Sequence, residues 1–263
     1  MNSILKITII VILTIVSYSG YAIIEQFFYK EKVVKSPLST NSLSNNSAVS
    51  TDFLLNNISA EKIYDSIKFN DVVKPSVLCF SQAFNAYKLL MKNDLVKNEI
   101  LTVIDFSLAS SEKRLWIIDM KNHVVLLNTL VAHGIKSGDE FASRFSNHEN
   151  SFQSSLGVYL TGEVYTGRNG LSLRLDGLNE GYNNLARKRG VVIHGADYVS
   201  TDYIETNGRL GRSQGCPAVA TEINEKLIDT IKDKSVLFIY HPDIKSIAFN
   251  ELLNLQGIIK RNI

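Results

Sequence analysis

Between Leu101 and Tyr240 the apolar residues come in short runs of four to eight, broken by Gly, Asn, Asp and Ser. Runs of that length, rich in Val, Ile, Leu and aromatic residues, read as β-strands. They fall at Leu101–Phe106, Leu115–Asp119, Val124–Val131, Leu156–Thr161, Ser172–Leu175, Val191–His194 and Val236–Tyr240, with Met120–His123 as a turn. Helical patterns do not alternate with them, so a doubly wound βαβ fold is excluded. The spacing predicts one helix in this region, Pro217–Ile231. Gly162, Gly167 and Gly170 punctuate Thr161–Gly170, which reads as a turn cluster and not as a phosphate loop.

The part before Leu101 has a different texture. Ile7–Ile24 carries no charge, and 13 of its 18 residues are apolar. Such a run reads as a secretory signal or an uncleaved membrane anchor, and residues 1–24 are assigned to it. No cysteine follows the run, which excludes a lipoprotein anchor. Either reading puts the rest of the chain outside the cytoplasm, in the periplasm or envelope. Residues 25–51 are a flexible tether: 11 of the 17 residues from Lys35 to Thr51 are Ser, Thr or Asn. A helical extension over 52–98 follows, with a loosely amphipathic Phe53–Phe69. A second helix starts at Pro75 and Ser76 and carries Phe80, Ala83, Phe84, Tyr87 and Met91 on one face. The remaining residues, 99–263, form the main domain. The fold class is therefore α+β, predominantly β, preceded by N-terminal helices.

Composition removes several functions. A net charge of +2 leaves no electrostatic footprint for nucleic acid. Two cysteines cannot build a multi-disulfide scaffold or a four-thiolate metal site. No His shows metal-ligand spacing, and no cofactor is called for.

Chemistry-bearing residues concentrate in Val191–Val219. His194 ends a short β run and is followed by Gly195, which lets backbone or ligand approach closely. Cys216 comes 22 residues later, within Ser213-Gln214-Gly215-Cys216-Pro217. Proline favours the first helical position, so Cys216 is expected at a helix N-cap, where the dipole favours the thiolate. The N–H groups of Gln214, Gly215 and Cys216 are candidates to hold a tetrahedral oxyanion. A nearby imidazole completes a Cys–His pair suited to acyl transfer. The plain alternatives are a small buried cysteine and a core histidine.

His194-Gly195 and Ser213-Gln214-Gly215-Cys216 resemble the motifs of the L,D-transpeptidases, the YkuD-type cysteine enzymes of bacterial cell-wall synthesis, and in particular their murein L,D-transpeptidase catalytic-domain branch. The resemblance extends through Val131-Ala132-His133-Gly134, Phe145-Ser146-Asn147, Ser154-Ser155-Leu156-Gly157, and Tyr165-Thr166-Gly167-Arg168-Asn169-Gly170. It continues to Ser172-Leu173-Arg174-Leu175-Asp176-Gly177-Leu178, and so covers roughly Leu101 to Tyr240. It implies an L,D-transpeptidase-like mixed β-sandwich or barrel and a monomer whose partner is the peptidoglycan stem peptide. The membrane would be met only through an uncleaved N-terminal segment.

Cys216 would be the nucleophile and His194 the general base, oriented by a backbone carbonyl. Gly215, Gln214, Ser213, Gly195 and Arg212 would form the oxyanion and substrate-binding surroundings. Many members carry His before Gly-Cys and Arg two residues after the Cys; here those positions hold Gln214 and Ala218. Arg212 and Arg209 become the candidate cations for substrate carboxylates, with Tyr165, Arg168 and Asn169 as further contacts.

His133-Gly134 reads as a structural pair beside a turn or a part of the donor cleft. His123, His148 and His241 read as surface or structural, and Cys79 as helix packing. Two rival cysteine-enzyme readings fit poorly. Papain-like and amidase families place Cys before His, and a sortase needs an Arg on a strand after the Cys, where only Arg261 is available. A wall-binding protein that keeps the fold without activity is the alternative of another class.

Overall fold

The computed structural model describes residues 59–242. The assignments made for 1–24 and 25–51, the start of the Phe53 helix and Arg261 lie outside the described residues. Among those described, no helix is long and apolar enough to cross a membrane.

Two helices open the described chain. α1 (Ala60–Ser66) is capped by Ser59, whose Oγ accepts from Lys62 N–H at 3.3 Å. It stops at Ile67, short of the expected Phe69, because Lys68 leaves the helix to bridge Val124. α2 (Val77–Lys92) begins at Ser76, whose Oγ accepts from Cys79 N–H at 3.2 Å. Its stripe of Cys79, Phe80, Ala83, Phe84, Tyr87 and Leu90 is buried, with Met91 half-buried at the margin. That stripe joins the same apolar core as the sheet.

The rest is one eight-stranded mixed sheet. Its strands are β1 (Ile100–Asp105), β2 (Leu115–Asp119), β3 (Val124–Thr129), β4 (Gly157–Gly167), β5 (Gly170–Gly177), β6 (Val192–Gly195), β7 (Ala218–Val219) and β8 (Val236–Tyr240). Their spatial order is β3-β2-β1-β8-β4-β5-β6-β7. β1 and β8 run parallel at the centre and are buried along their whole length, as continuous apolar strands should be. Past β3, Ala132 pairs with Ala218 of β7, donating its N–H to the Ala218 carbonyl at 2.8 Å. This bridge draws the two ends of the sheet together, so the sheet nearly closes into a barrel. Short helices α3 (Thr201–Asn207) and α4 (Thr221–Ile231) lie on either side of β7 in sequence.

Two expectations need correction. The segment Thr161–Gly170 is not a turn cluster: β4 runs through it to Gly167, and only Arg168 and Asn169 turn before Gly170 (φ +75°) opens β5. Gly162 sits at a bulge in that ladder, where a Cβ would come within 2.8 Å of the Arg187 guanidinium. The helix expected from Pro217 starts only at Thr221. Ala218 and Val219 are extended because they pair in parallel with His194 and Gly195 of β6. Proline's restricted φ suits an extended segment as well as a helix start. The sequence reading also passed over α3, although Ser200 caps it and Gly208 (φ +71°) ends it.

Candidate functional site

The β6–β7 pairing sets His194 opposite Ala218, and Cys216 precedes Ala218 by two residues. Both side chains line one cleft of about 670 Å³. His194 is almost buried, and its Nδ1 donates to the Gly195 carbonyl oxygen at 2.9 Å. That bond selects the tautomer with the proton on Nδ1 and leaves Nε2 as the basic nitrogen. Gly195 therefore meets this site through its carbonyl, which orients the imidazole, and it lines the same cleft.

Cys216 is half-buried and reduced, as is the fully buried Cys79. No helix begins at Cys216, so the expected dipole assistance is absent. Burial pushes its thiol above the ordinary value; the Val192 N–H and the Arg189 guanidinium pull the other way. The thiol faces the Gly190 carbonyl, 3.7 Å away. A base is thus needed to generate the thiolate, and His194 lines the same cleft.

The loop bearing Cys216 is laced by hydroxyls. Ser213 Oγ accepts from the Gly215 N–H at 3.0 Å and donates to the Cys216 carbonyl at 2.6 Å. The Gly215 N–H is thereby spent inside the loop, which removes it as an oxyanion donor. The Gln214 and Cys216 N–H groups have no such partner among the described residues. Gly215 is held at φ +121°, and a Cβ there would lie 2.8 Å from the Gln153 carbonyl, so only glycine fits. Ser213, Gln214 and Arg212 all line the cleft. Arg212 is ion-paired with Asp139 and donates to the Gly138 carbonyl at 3.1 Å. Arg209 donates to the Leu210 carbonyl at 2.8 Å and is not part of the lining. Tyr165, Arg168 and Asn169 reach the cleft from the tip of the β4–β5 arm.

Arg189 is the functional candidate that the sequence reading missed. Its guanidinium donates to the Ser146 and Gln153 carbonyls, each at 2.7 Å, and to Ser155 Oγ and Ser151 Oγ at 3.0 and 3.2 Å. It staples the loop leading into β4 while lining the cleft beside Cys216. Among the described lining residues, Arg168, Arg189 and Arg212 outnumber the one carboxylate, Asp197, so the cleft favours an anionic ligand.

The charge of Arg189 makes an expectation for the thiol. Arg189→Met should move the pH profile of Cys216 alkylation by iodoacetamide to higher pH, slowing the reaction several-fold at neutral pH. Arg189→Lys, which keeps the charge, should hold the profile near wild type. Superimposable profiles for the Met variant and wild type would remove Arg189 from the electrostatics of the thiol.

The other histidines stand apart. His133 is fully buried behind the Cys216 loop: its carbonyl accepts from Ser213 N–H at 3.0 Å, and it is not part of the lining. His123 bonds Ser66 Oγ through Nδ1 at 2.8 Å, His241 packs on Phe145 at 4.9 Å, and His148 lies in a polar loop. No group of three His, Cys, Asp or Glu among the described residues could hold a metal.

A family model described as the L,D-transpeptidase catalytic domain matches residues 72–240. No curated protein matches the chain. Among solved structures, the chain is similar to an L,D-transpeptidase from Mycobacterium smegmatis at 13% identity and a TM-score of 0.32, over 54% of this chain and 59% of that one. It is also similar to an L,D-transpeptidase from Stackebrandtia nassauensis at 10% identity and a TM-score of 0.34, over 77% of this chain and 98% of the other. Against the helical cell shape determining protein Pgp2 from Campylobacter jejuni the identity is 14% and the TM-score 0.33, over 55% of this chain and 44% of that one. The match thus spans only about half the length of the Mycobacterium smegmatis and Campylobacter jejuni proteins.

Proposed function

The chain belongs to the L,D-transpeptidase catalytic-domain family, and on that premise we propose that it is an exported cysteine acyltransferase acting on peptidoglycan tetrapeptide stems. The observation that carries this reading is the pairing of Cys216 and His194 on one cleft, with the imidazole held through Nδ1 by the Gly195 carbonyl. His194 Nε2 takes the thiol proton after Sγ turns from the Gly190 carbonyl. The sulfur attacks the carbonyl carbon of the diamino acid that precedes the terminal D-alanine. The oxyanion is met by backbone N–H groups, the Cys216 N–H first among them. As the C–N bond breaks, His194 returns the proton to the departing D-alanine amine and a thioester remains. An acceptor amine then attacks the thioester to give a 3–3 cross-link, or water attacks it to give L,D-carboxypeptidase trimming. The arginine-rich lining supports recognition of the carboxylates on the stem. The uncharged run Ile7–Ile24 supports export, with the chain held at the membrane if the run is not cleaved.

Incubating the protein from Asp52 onward with disaccharide-tetrapeptide tests the proposal. D-alanine release is expected, alone or with a 3–3 dimer detected by mass spectrometry. If no D-alanine appears under conditions where an active L,D-transpeptidase releases it, the wall-binding alternative without activity takes its place.

A further inference from the structure

We propose that Ser154 is a positioning residue of this site, whose hydroxyl aims the Cys216 N–H into the cleft as the oxyanion donor. The inference rests on the reading that Cys216 is acylated, and it adds a residue from outside the Cys216 loop. Ser154 is fully buried in the segment leading to β4 and does not line the cleft. Its Oγ accepts from the Gly134 N–H at 3.0 Å and donates to the Gly215 carbonyl at 3.2 Å. Its own N–H donates to Ser137 Oγ at 2.9 Å, so the serine is held from both sides.

The consequence follows from peptide geometry. No cis peptide bond is present among the described residues, and in a trans peptide the C=O and the N–H of the same unit point in opposite directions. Ser154 holds the Gly215 oxygen toward the interior, so the Cys216 N–H points away from it, on the side where Cys216 lines the cleft. Glycine at 215, at φ +121°, gives the peptide no side-chain restraint of its own. The hydroxyl of Ser154 supplies that restraint.

Close packing reinforces the arrangement. A Cβ on Gly134 would lie 2.8 Å from the Gly215 Cα and 2.6 Å from the Phe152 carbonyl. The Gly134 and Gly215 backbones therefore touch, and Ser154 bonds to both. Ser213 clamps the other side of the loop through the Gly215 N–H and the Cys216 carbonyl. Without Ser154 Oγ, the Gly215 carbonyl loses the hydrogen bond that fixes the orientation of the Gly215–Cys216 peptide, while Ser213 still holds the rest of the loop.

Two reactions at the same sulfur separate these effects. Acylation by p-nitrophenyl acetate passes through an oxyanion, whereas alkylation by iodoacetamide does not. In Ser154→Ala the acylation rate should fall about tenfold or more, part of the loss seen when an oxyanion donor is deleted outright. Alkylation should stay within about twofold of wild type, because the thiol and His194 are untouched. Equal losses in both reactions, or in neither, would overturn the proposal. Failure of wild type to be acylated would instead sink the acyl-transfer reading beneath it. A second measurement needs no variant: when an aldehyde forms a hemithioacetal on Cys216, the Cys216 amide proton should move downfield in the NMR spectrum. An unmoved amide proton rules that N–H out as the donor.

Discussion

With Cys216 replaced by alanine, D-alanine release from the tetrapeptide substrate falls to the uncatalysed rate, a loss of at least about 10⁴-fold. The chain offers no second nucleophilic thiol, since Cys79 is fully buried in α2 and burial pushes its thiol well above the ordinary value. His194→Ala should cost about 10² to 10⁴-fold in the same assay, the usual contribution of a positioned base. It should also slow alkylation of Cys216 at neutral pH, because burial keeps that thiol protonated without a base. The double variant should be no worse than Cys216→Ala alone, since the two groups act as one unit. Mass spectrometry gives the companion readout: a thioester adduct on wild type and none on Cys216→Ala. Turnover by Cys216→Ala within tenfold of wild type would place the chemistry elsewhere and end the proposal.

Parts of this architecture are legible in the sequence because a local pattern decides them. Val236–Tyr240 is apolar at every position, and it is the buried strand β8 at the centre of the sheet. The stripe from Phe80 to Tyr87 has helical spacing, and Ser76 caps the helix. The misreadings arise where long-range contacts override local preference. Pro217 looked like a helix start, but Ala132 and β6 draw Ala218 into an extended pair. Gly162 looked like a turn residue, yet it makes room for the Arg187 guanidinium at a bulge. In the site, Cys216 and His194 were legible from their neighbours in sequence. Arg189 was not, because its importance comes from four bonds to residues 146–155, some 34 to 43 positions away. Ser154 stands out in sequence only within the Ser154-Ser155-Leu156-Gly157 motif, because its bond to Gly215 spans 61 positions.

The protein should also lose stability steeply below neutral pH, with His133 as a main cause. The His133 ring is fully buried, and Arg114 Nη2 lies 2.8 Å from its Nδ1, which must accept because a guanidinium can only donate. Burial first, then the neighbouring Arg114, pushes its pKa down from 6.5 to about 4, with Arg212 and Arg209 adding to the effect. The Gly138 backbone opposes them, by more than either Arg212 or Arg209 adds but by less than burial and Arg114 together. Arg114 cannot move away: it is fully buried and also donates to the Val131 and Leu108 carbonyls. Between pH 6.5 and about 4, then, the unfolded chain binds a proton at His133 that the folded chain refuses. Stability from this group is complete above pH 6.5 and is lost as the pH falls through that window. The full shift corresponds to about 3 kcal/mol. Urea denaturation from pH 7.5 to 4 should show this slope in wild type. His133→Gln should be less stable at pH 7.5 but markedly flatter, since its amide does not titrate. Parallel curves for the two proteins would mean that His133 does not govern the acid limb. The same protonation should reach the site, because the His133 carbonyl accepts from the Ser213 N–H and the Gly134 N–H bonds Ser154.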